Sequence, residues 1–279
     1  MRINVPYCFI ALISLSICSA AATEVVKVAK EQRKLYPRDH YIVSLLEMAL
    51  ANHAYQFEHV PVHPHQQRTL LKLSKGDVDI HWGMTSPDRE TIATAIPIPI
   101  FKGLIGKRIA LINQQRQPEF SAITDDKFKL LTAVQGHDWP DTKILAQNGY
   151  RVKPFAHYPA MFTMVSRGQV DYFPRSVIEI QDELAEFNKL GLSIEQQHLL
   201  SYPAAFYFFV NKNKSELATA LESGLLAMVN DGRFDKLFDD YFADTLAKLK
   251  LDERVEQQLE NDYFPDAAIL DNKALWYKK

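Results

Sequence analysis

The sequence predicts an α/β protein built as two similar lobes, and three observations carry that expectation. From Thr23 onward, short apolar runs alternate with stretches of helical periodicity, as in helices laid against open sheets. A helix–glycine–strand unit occurs twice, about ninety residues apart: Ser74-Lys75-Gly76-Asp77-Val78-Asp79 and Ser166-Arg167-Gly168-Gln169-Val170-Asp171. In each, a Gly stands just past the helix, where positive φ costs least, and a strand opens with Val-Asp. Finally, 47% hydrophobic and 24% charged residues in 279 describe a folded globular chain, which excludes disordered, collagen-like and disulfide-scaffold classes. The formal charge of −2 lacks the global basic excess of a nucleic-acid binder, and no polybasic tract marks a membrane surface.

The first 22 residues are expected to leave the fold. Arg2 supplies a positive start, Tyr7 to Cys18 is apolar apart from Ser14 and Ser16, and Ser19-Ala20-Ala21-Ala22 offers small residues for cleavage. The run is too short to span a bilayer, so it reads as a secretory signal. Cleavage after Ala22 also removes both cysteines, Cys8 and Cys18. That excludes thiol nucleophiles, thiolate metal sites and disulfides from the mature chain. Cys18 as a lipid-attachment site is the alternative, with bulky Ile17 against it.

Each element then follows from local pattern. Glu24–Ala29 is a valine-rich strand. Asp39 is placed to cap a helix to about Ala51, with Ile42, Leu45, Leu46 and Leu50 on one stripe. Tyr55–Val62 is a strand, Gln66–Lys75 a helix stopped by Gly76, and Val78–Trp82 a third strand. Pro97, Pro99 and Gly103 interrupt the chain before the strand Lys107–Ile112. A second series runs strand Leu130–Val134, helix Pro140–Gln147, strand Tyr150–Phe155, helix Pro159–Arg167, strand Val170–Phe173 and helix Val177–Asn188. Strand Tyr207–Val210 precedes helices Ser215–Asn230 and Arg233–Phe242, with Gly232 between them. The tail, residues 252–279, is expected on the surface, with Tyr263, Phe264, Trp276 and Tyr277 as its aromatic patch.

At this point the residues resemble a known family. Leu71–Asp79, Thr85-Ser86-Pro87-Asp88-Arg89, Ile98-Pro99-Ile100-Phe101 and the closing stretch Phe208–Phe242 are similar to the bacterial periplasmic solute-binding proteins of the amino-acid-binding group (family 3, type 2). No single motif is diagnostic; their order and spacing are. The resemblance implies a two-lobed type 2 periplasmic-binding fold with a ligand crevice between lobes. Lobe 1 would be 23–110 plus 203–251 and lobe 2 111–202, with 252–279 as a tail. It further implies a periplasmic, monomeric receptor that uses no cofactor and delivers a small polar solute to an inner-membrane ABC permease. Trapping would follow hinge closure.

The same resemblance assigns Arg89, ten residues past Asp79, to the ligand's carboxylate, which a guanidinium fork suits. The alternative is a surface Arg beside Asp88 and Glu90. Thr85 and Ser86 offer donors, and Trp82 and Met84 either wall the ligand or pack in the core. Arg175 departs from the family, which usually has an acid near this position to hold an α-amino group. Two Arg residues facing one crevice would favour an anion; alternatively Arg175 pairs with Glu179, one helical turn on. Gly136-His137-Asp138-Trp139-Pro140-Asp141 leads into a helix start, where Trp139 would cover the ligand and Asp141 would receive an amine. Tyr36 and Tyr202 are candidates by position. His59, His63 and His65 share a strand face, but Pro61 and Pro64 and the lack of an acidic or Cys partner nearby point to a solvated edge rather than zinc. The rival class is a secreted dehydratase-like enzyme on the same fold, for which Glu179, Asp141 or His137 would be the general acid. A receptor that presents its ligand to a sensor protein is a further variant.

Overall fold

The computed structural model describes residues 23–278 except 64 and 266. The expected signal segment therefore lies outside the described residues. The first sheet is built from β1 (Glu24–Glu31), β2 (Tyr55–Val62), β3 (Ile80–Met84), β4 (Thr94–Ile96) and β11 (Phe206–Val210), in the order β2-β1-β3-β11-β4. β1 and β2 are parallel in register Val28↔His59 and are joined through α1 (Pro37–Ala49). α2 (Gln66–Lys75) carries the chain from β2 to β3 and ends at Gly76, whose φ of 79° is the left-handed value expected there. β11 enters antiparallel between β3 and β4, pairing Phe208 with Trp82 and with Ile96. Val26, Val28, Ile80, Phe208 and Phe209 are fully buried. α1 packs on α9 (Ser215–Asp231) and α10 (Arg233–Leu249) through Tyr41, Leu45 and Ala49 on α1 and Leu221, Phe238 and Phe242 on its partners.

The second sheet takes β5 (Lys107–Asn113), β6 (Thr132–Gly136), β7 (Arg151–Phe155), β8 (Tyr172–Ser176), β10 (His198–Ser201) and β12 (Val255–Gln258), ordered β12-β10-β5-β8-β6-β7, with β9 (Leu192–Ile194) also on β5. α6 (Pro140–Gln147) joins β6 to β7, α7 (Tyr158–Ser166) joins β7 to β8, and α8 (Ile180–Glu186) follows β8. The repeated unit is present in both lobes: Gly168 has φ 66° and the backbone N–H of Asp171 reaches Thr132 O, just as Asp79 N–H reaches Lys27 O in the first lobe. The molecule is thus two α/β lobes, each with its own sheet.

Several elements differ from expectation, for local physical reasons. α1 begins at Pro37, so Asp39 is its third residue; its carboxylate accepts from the Tyr36 backbone N–H (2.8 Å) instead of capping as the first residue. β8 continues through Arg175 to Ser176, and α8 starts only at Ile180. Residues 114–130 hold two six-residue helices, α4 (Gln117–Ala122) and α5 (Asp125–Leu130), anchored by buried Phe120 and Phe128. The whole of β5 pairs in the second sheet, so the boundary expected at 110–111 falls inside that strand. The tail does more than cover surface. β12 runs parallel to β10, and the chain then returns to the first lobe, where Tyr277 N–H donates to Lys102 O (2.9 Å) and its ring meets Phe238.

Candidate functional site

The strands β3, β5, β8 and β11 and the starts of α1, α3 (Pro87–Ile92) and α6 bring charged side chains together between the two sheets. Two hollows of about 130 and 50 Å³ lie there, and a third of about 520 Å³ opens between α3 and the turn at 136–143. Trp139 lines all three, its ring lying against Gly136. Trp82 borders the first and Met84 the second.

Arg89 is fixed by the sequence just before it. Ser86 caps α3 by accepting from the Arg89 backbone N–H (3.4 Å), Pro87 fills the first helical position, and Thr85 donates to Glu90 (2.6 Å). Both hydroxyls are therefore engaged within the loop. The Arg89 side chain turns inward and is 7% exposed, not the surface residue that Asp88 and Glu90 suggested. Its Nη1 donates to Met84 O (2.7 Å), and its Nη2 to Gln66 Oε1 (2.6 Å) and Asp138 O (3.2 Å). Among the described residues no carboxylate lies within ion-pair distance of it. Burial pushes its pKa down to about 10, with Asp138 and Asp141 acting the other way, so it stays charged at neutral pH.

Arg175 has the opposite surroundings. Its Nε and Nη2 donate to the two oxygens of Glu183 (2.6 and 2.7 Å), and Nη2 also lies 3.0 Å from Glu179 Oε2. The guanidinium is stacked among Phe173 (4.8 Å), Trp139 (5.0 Å) and Tyr158 (5.7 Å). The pairing with Glu179 allowed by the sequence is present, and Glu183 adds a two-pronged partner. Glu183 is fully buried, which alone would raise its pKa; Arg175 and Arg38 outweigh this and hold it below the usual range. Tyr158 donates to the same carboxylate (2.6 Å).

Two further guanidinium groups were not expected. Arg38, on the first turn of α1, reaches across to Glu183 (3.4 Å) and Glu179 (3.9 Å), while its buried Nη1 has no partner among the described residues. Tyr36, buried in its own right, lies under Arg38 at 4.5 Å and Arg33 at 5.2 Å. Arg108, on β5, pairs with Asp141 and with Glu179 (3.3 Å) and donates to Tyr202 Oη (3.1 Å), whose hydroxyl in turn donates to Asp141. Asp141 thus receives a guanidinium. The signal for Arg108 was present in the sequence as a charge at the head of the apolar run Ile109–Ile112; Glu183 was visible as a second acid one turn past Glu179. In all, Arg38, Arg108 and Arg175 pair with Asp141, Glu179 and Glu183 in this crevice, and Arg89 stands beside them. Arg33, Glu31 and Asp39 line the same hollow, so arginines and acids balance there, and Arg89 is the guanidinium without a carboxylate in ion-pair distance among the described residues.

The histidines stand apart from this cluster. The His63 and His65 rings are 4.5 Å apart and His65 meets His137 at 5.2 Å, at the rim, whereas His59 lies elsewhere on lobe 1. Among the described residues no group of three or more His, Cys, Asp or Glu is arranged to hold a metal ion. Of the general-acid candidates, Glu179 and Asp141 are occupied as acceptors by arginines, and His137 is half-exposed with its Nδ1 3.9 Å from Asp138.

Comparison with solved structures finds the same two-lobed fold. The VFT2 domain of BvgS from Bordetella pertussis (a double mutant) is similar at 19% identity over 78% of this chain and 93% of that one, with a TM-score of 0.62. A probable amino-acid ABC transporter extracellular-binding protein, ytmK, from Bacillus subtilis matches at 15% identity over 80% and 99%, TM-score 0.61. An ancestral amino acid-binding protein, a precursor of cyclohexadienyl dehydratase, matches at 14% identity over 78% and 95%, TM-score 0.56. No family model matches the sequence, and the search of curated proteins finds no match. Likeness at these identities establishes the fold.

Proposed function

We propose that this chain is an exported, non-enzymatic receptor that closes two lobes over a small solute bearing a carboxylate or similar oxyanion and delivers it to an inner-membrane ABC permease. The observation that carries the reading is Arg89: a buried guanidinium whose acceptors are two carbonyl oxygens and one side-chain amide, with no carboxylate in ion-pair distance among the described residues. A buried cation without an anion is costly, and a bound carboxylate would offset that cost. Gln66 Oε1 occupies the place that the ligand's oxygen would take, and Arg38 lines the same hollow as Gln66. Arg175, already neutralised by Glu183, shapes the wall under Trp139 and is not the second anion clamp. In this reading the hinges are residues 102–106 and 202–205, between the strands of the two sheets.

The likeness to an extracellular-binding protein of a transporter supports export and delivery. The dehydratase reading draws support from one structural neighbour, but its carboxylate candidates are tied to arginines. The deciding experiment is calorimetric titration of the purified protein with panels of anionic, neutral and cationic metabolites, repeated on Arg89→Ala. Binding confined to carboxylates and lost in Arg89→Ala is the expected result. Binding only of cations or neutral compounds, indifferent to Arg89→Ala, would overturn the reading.

A further inference from the structure

Direct bonds join the two lobes at two places. Glu179, Glu183 and Glu186 recur at helical spacing at the head of α8 and along it, which sets three acids on one face. The segment of lobe 1 that meets them is basic: Arg38 reaches Glu183 (3.4 Å) and Glu179 (3.9 Å), and Lys34 meets Glu186 (2.5 Å). From the same helix the Gln181 side-chain amide donates to Thr245 O of α10 (3.2 Å). At the second place α2 and α3 hold the turn before α6. The Gln67 backbone N–H donates to Asp138 Oδ2 (3.3 Å), Arg89 Nη2 donates to Asp138 O (3.2 Å), and the His65 and His137 rings meet at 5.2 Å.

Bringing the lobes together takes Arg38 out of water, which is costly unless the ion is matched. It is matched from within the chain, by two carboxylates of the other lobe and by the Tyr36 ring at 4.5 Å. Glu183 keeps Arg175 whether the lobes are together or apart, since both belong to lobe 2. The hollows that Glu179 lines, about 130 and 50 Å³, are smaller than the roughly 300–1,000 Å³ of small-molecule pockets. At this end the lobes have thus closed on each other's side chains instead of around a solute.

The geometry points to a self-latched protein. Without solute the lobes rest shut, held by Arg38 and Lys34 on the acids of α8 and by α2 and α3 on the Asp138 turn. A solute enters only in the fraction of molecules whose latch is open, so opening limits entry and the shut fraction lowers the apparent affinity for any solute. The inference goes beyond the receptor reading: it concerns the ligand-free chain and stands whatever binds at Arg89. The test is the distance between the lobes, read by electron-spin double resonance. Spin labels are attached at Glu58→Cys on β2 and Lys153→Cys on β7, both exposed, in a chain carrying Cys8→Ser and Cys18→Ser at its two native cysteines. Unfolding and refolding strip any carried solute, and mass spectrometry checks its absence.

The chain with its latch intact should give one dominant distance, that of the shut structure. Glu186→Lys, which sets two ammonium groups against each other, and Arg38→Ala should each add a longer distance. The open-to-shut ratio should rise severalfold for the exposed pair and about tenfold or more for the buried one. Lys34→Glu combined with Glu186→Lys restores the pair with its charges exchanged and should return the shut distance, which a mere weakening of α8 would not do. Lys34 and Glu186 are exposed, so this cycle holds even if Arg38→Ala fails to fold. A ligand-free chain that is mainly open, or a shut fraction equal in all these variants, would overturn the latch. A chain that is shut by this measure yet binds no carboxylate would remove the receptor reading and leave the latch standing.

Discussion

Arg89 and Arg175 follow the two copies of the same helix–glycine–strand unit, yet the protein treats them as opposites. Arg175 has a carboxylate on two of its nitrogens, a second carboxylate beside it and three aromatic rings around it. Arg89 is almost equally buried and has carbonyl and amide oxygens only. The first arrangement is complete within the chain; removing any part of it exposes a cost. The second is incomplete within the chain, and something from outside can improve it. The difference teaches that an arginine in a crevice indicates a ligand through what it lacks, not through its position alone.

That contrast can be broken at several points. The largest expected effect is on Glu183→Ala, which leaves Arg175 and Arg38 facing each other with only Glu179, already paired to Arg108, between them. Unfolding in denaturant should show a loss of about 3–5 kcal/mol, as for a buried pair deprived of one partner. A loss below about 1 kcal/mol would show that Arg175 is not held by this carboxylate. Arg89→Met should behave inversely: it should cost about 2–5 kcal/mol in carboxylate affinity, while denaturant stability stays level or rises, because an uncompensated buried charge is replaced by an apolar chain. A destabilisation as large as that of Glu183→Ala would erase the distinction.

Acid provides a third test. Glu183 and Asp39 are both held below their ordinary values by guanidinium partners, against the effect of burial. A depressed carboxyl contributes stability that is complete above its unfolded pKa, about 4.3 for Glu and 3.9 for Asp, and that is lost as the pH falls through the folded value. Stability should therefore decline below about pH 4–5, and Glu183→Gln should flatten that decline without changing the slope above pH 6. An identical acid limb in the variant would remove Glu183 from the account. The smallest effect belongs to Ser86→Ala, which removes the cap of α3. It should cost about 1 kcal/mol and shift carboxylate affinity only as far as the Arg89 backbone moves; a loss of binding equal to that of Arg89→Met would mean that Ser86 itself touches the ligand.

Much of this architecture was legible in the chain itself. The repeated Gly76 and Gly168 units placed both strands to within two residues, since they open at Ile80 and Tyr172 and not at Val-Asp, and Arg89, expected on a loop, lies in the short helix α3. What was not legible is the pairing. Arg38 and Arg108 lie beside Asp39 and Lys107 in sequence, and a charged dipeptide reads as solvent-facing unless the fold buries it. Their acids come from α6 and α8, distant in sequence, so no local pattern joins them. Residues 114–130 have too short a period to show two six-residue helices, and the polar Val255-Glu256-Gln257-Gln258 gives no strand signal, because at the sheet edge only Gln257 is buried. Asp39 was read as a cap because its chemistry suits that role; Pro37 set the helix start three residues earlier, with Tyr36 as the cap.

The returning tail has a mechanical consequence. Two connections between lobes define an axis, and a body hung on two points can both fold and twist about it. Here the chain crosses a third time: after β12 and the Asn261 side chain's bond to Pro203 O (2.7 Å), it lays Trp276 against Gly103 and ties Tyr277 to Lys102. Gly103, at φ 77°, has no room for a Cβ beneath the indole, so this seat is fitted to the ring. A third tether removes freedom that two leave open, and any rotation of one sheet against the other must slide or lift the indole. The C-terminal segment is thus a third tie across the joint, the contact that any opening or closure of the lobes would have to shift.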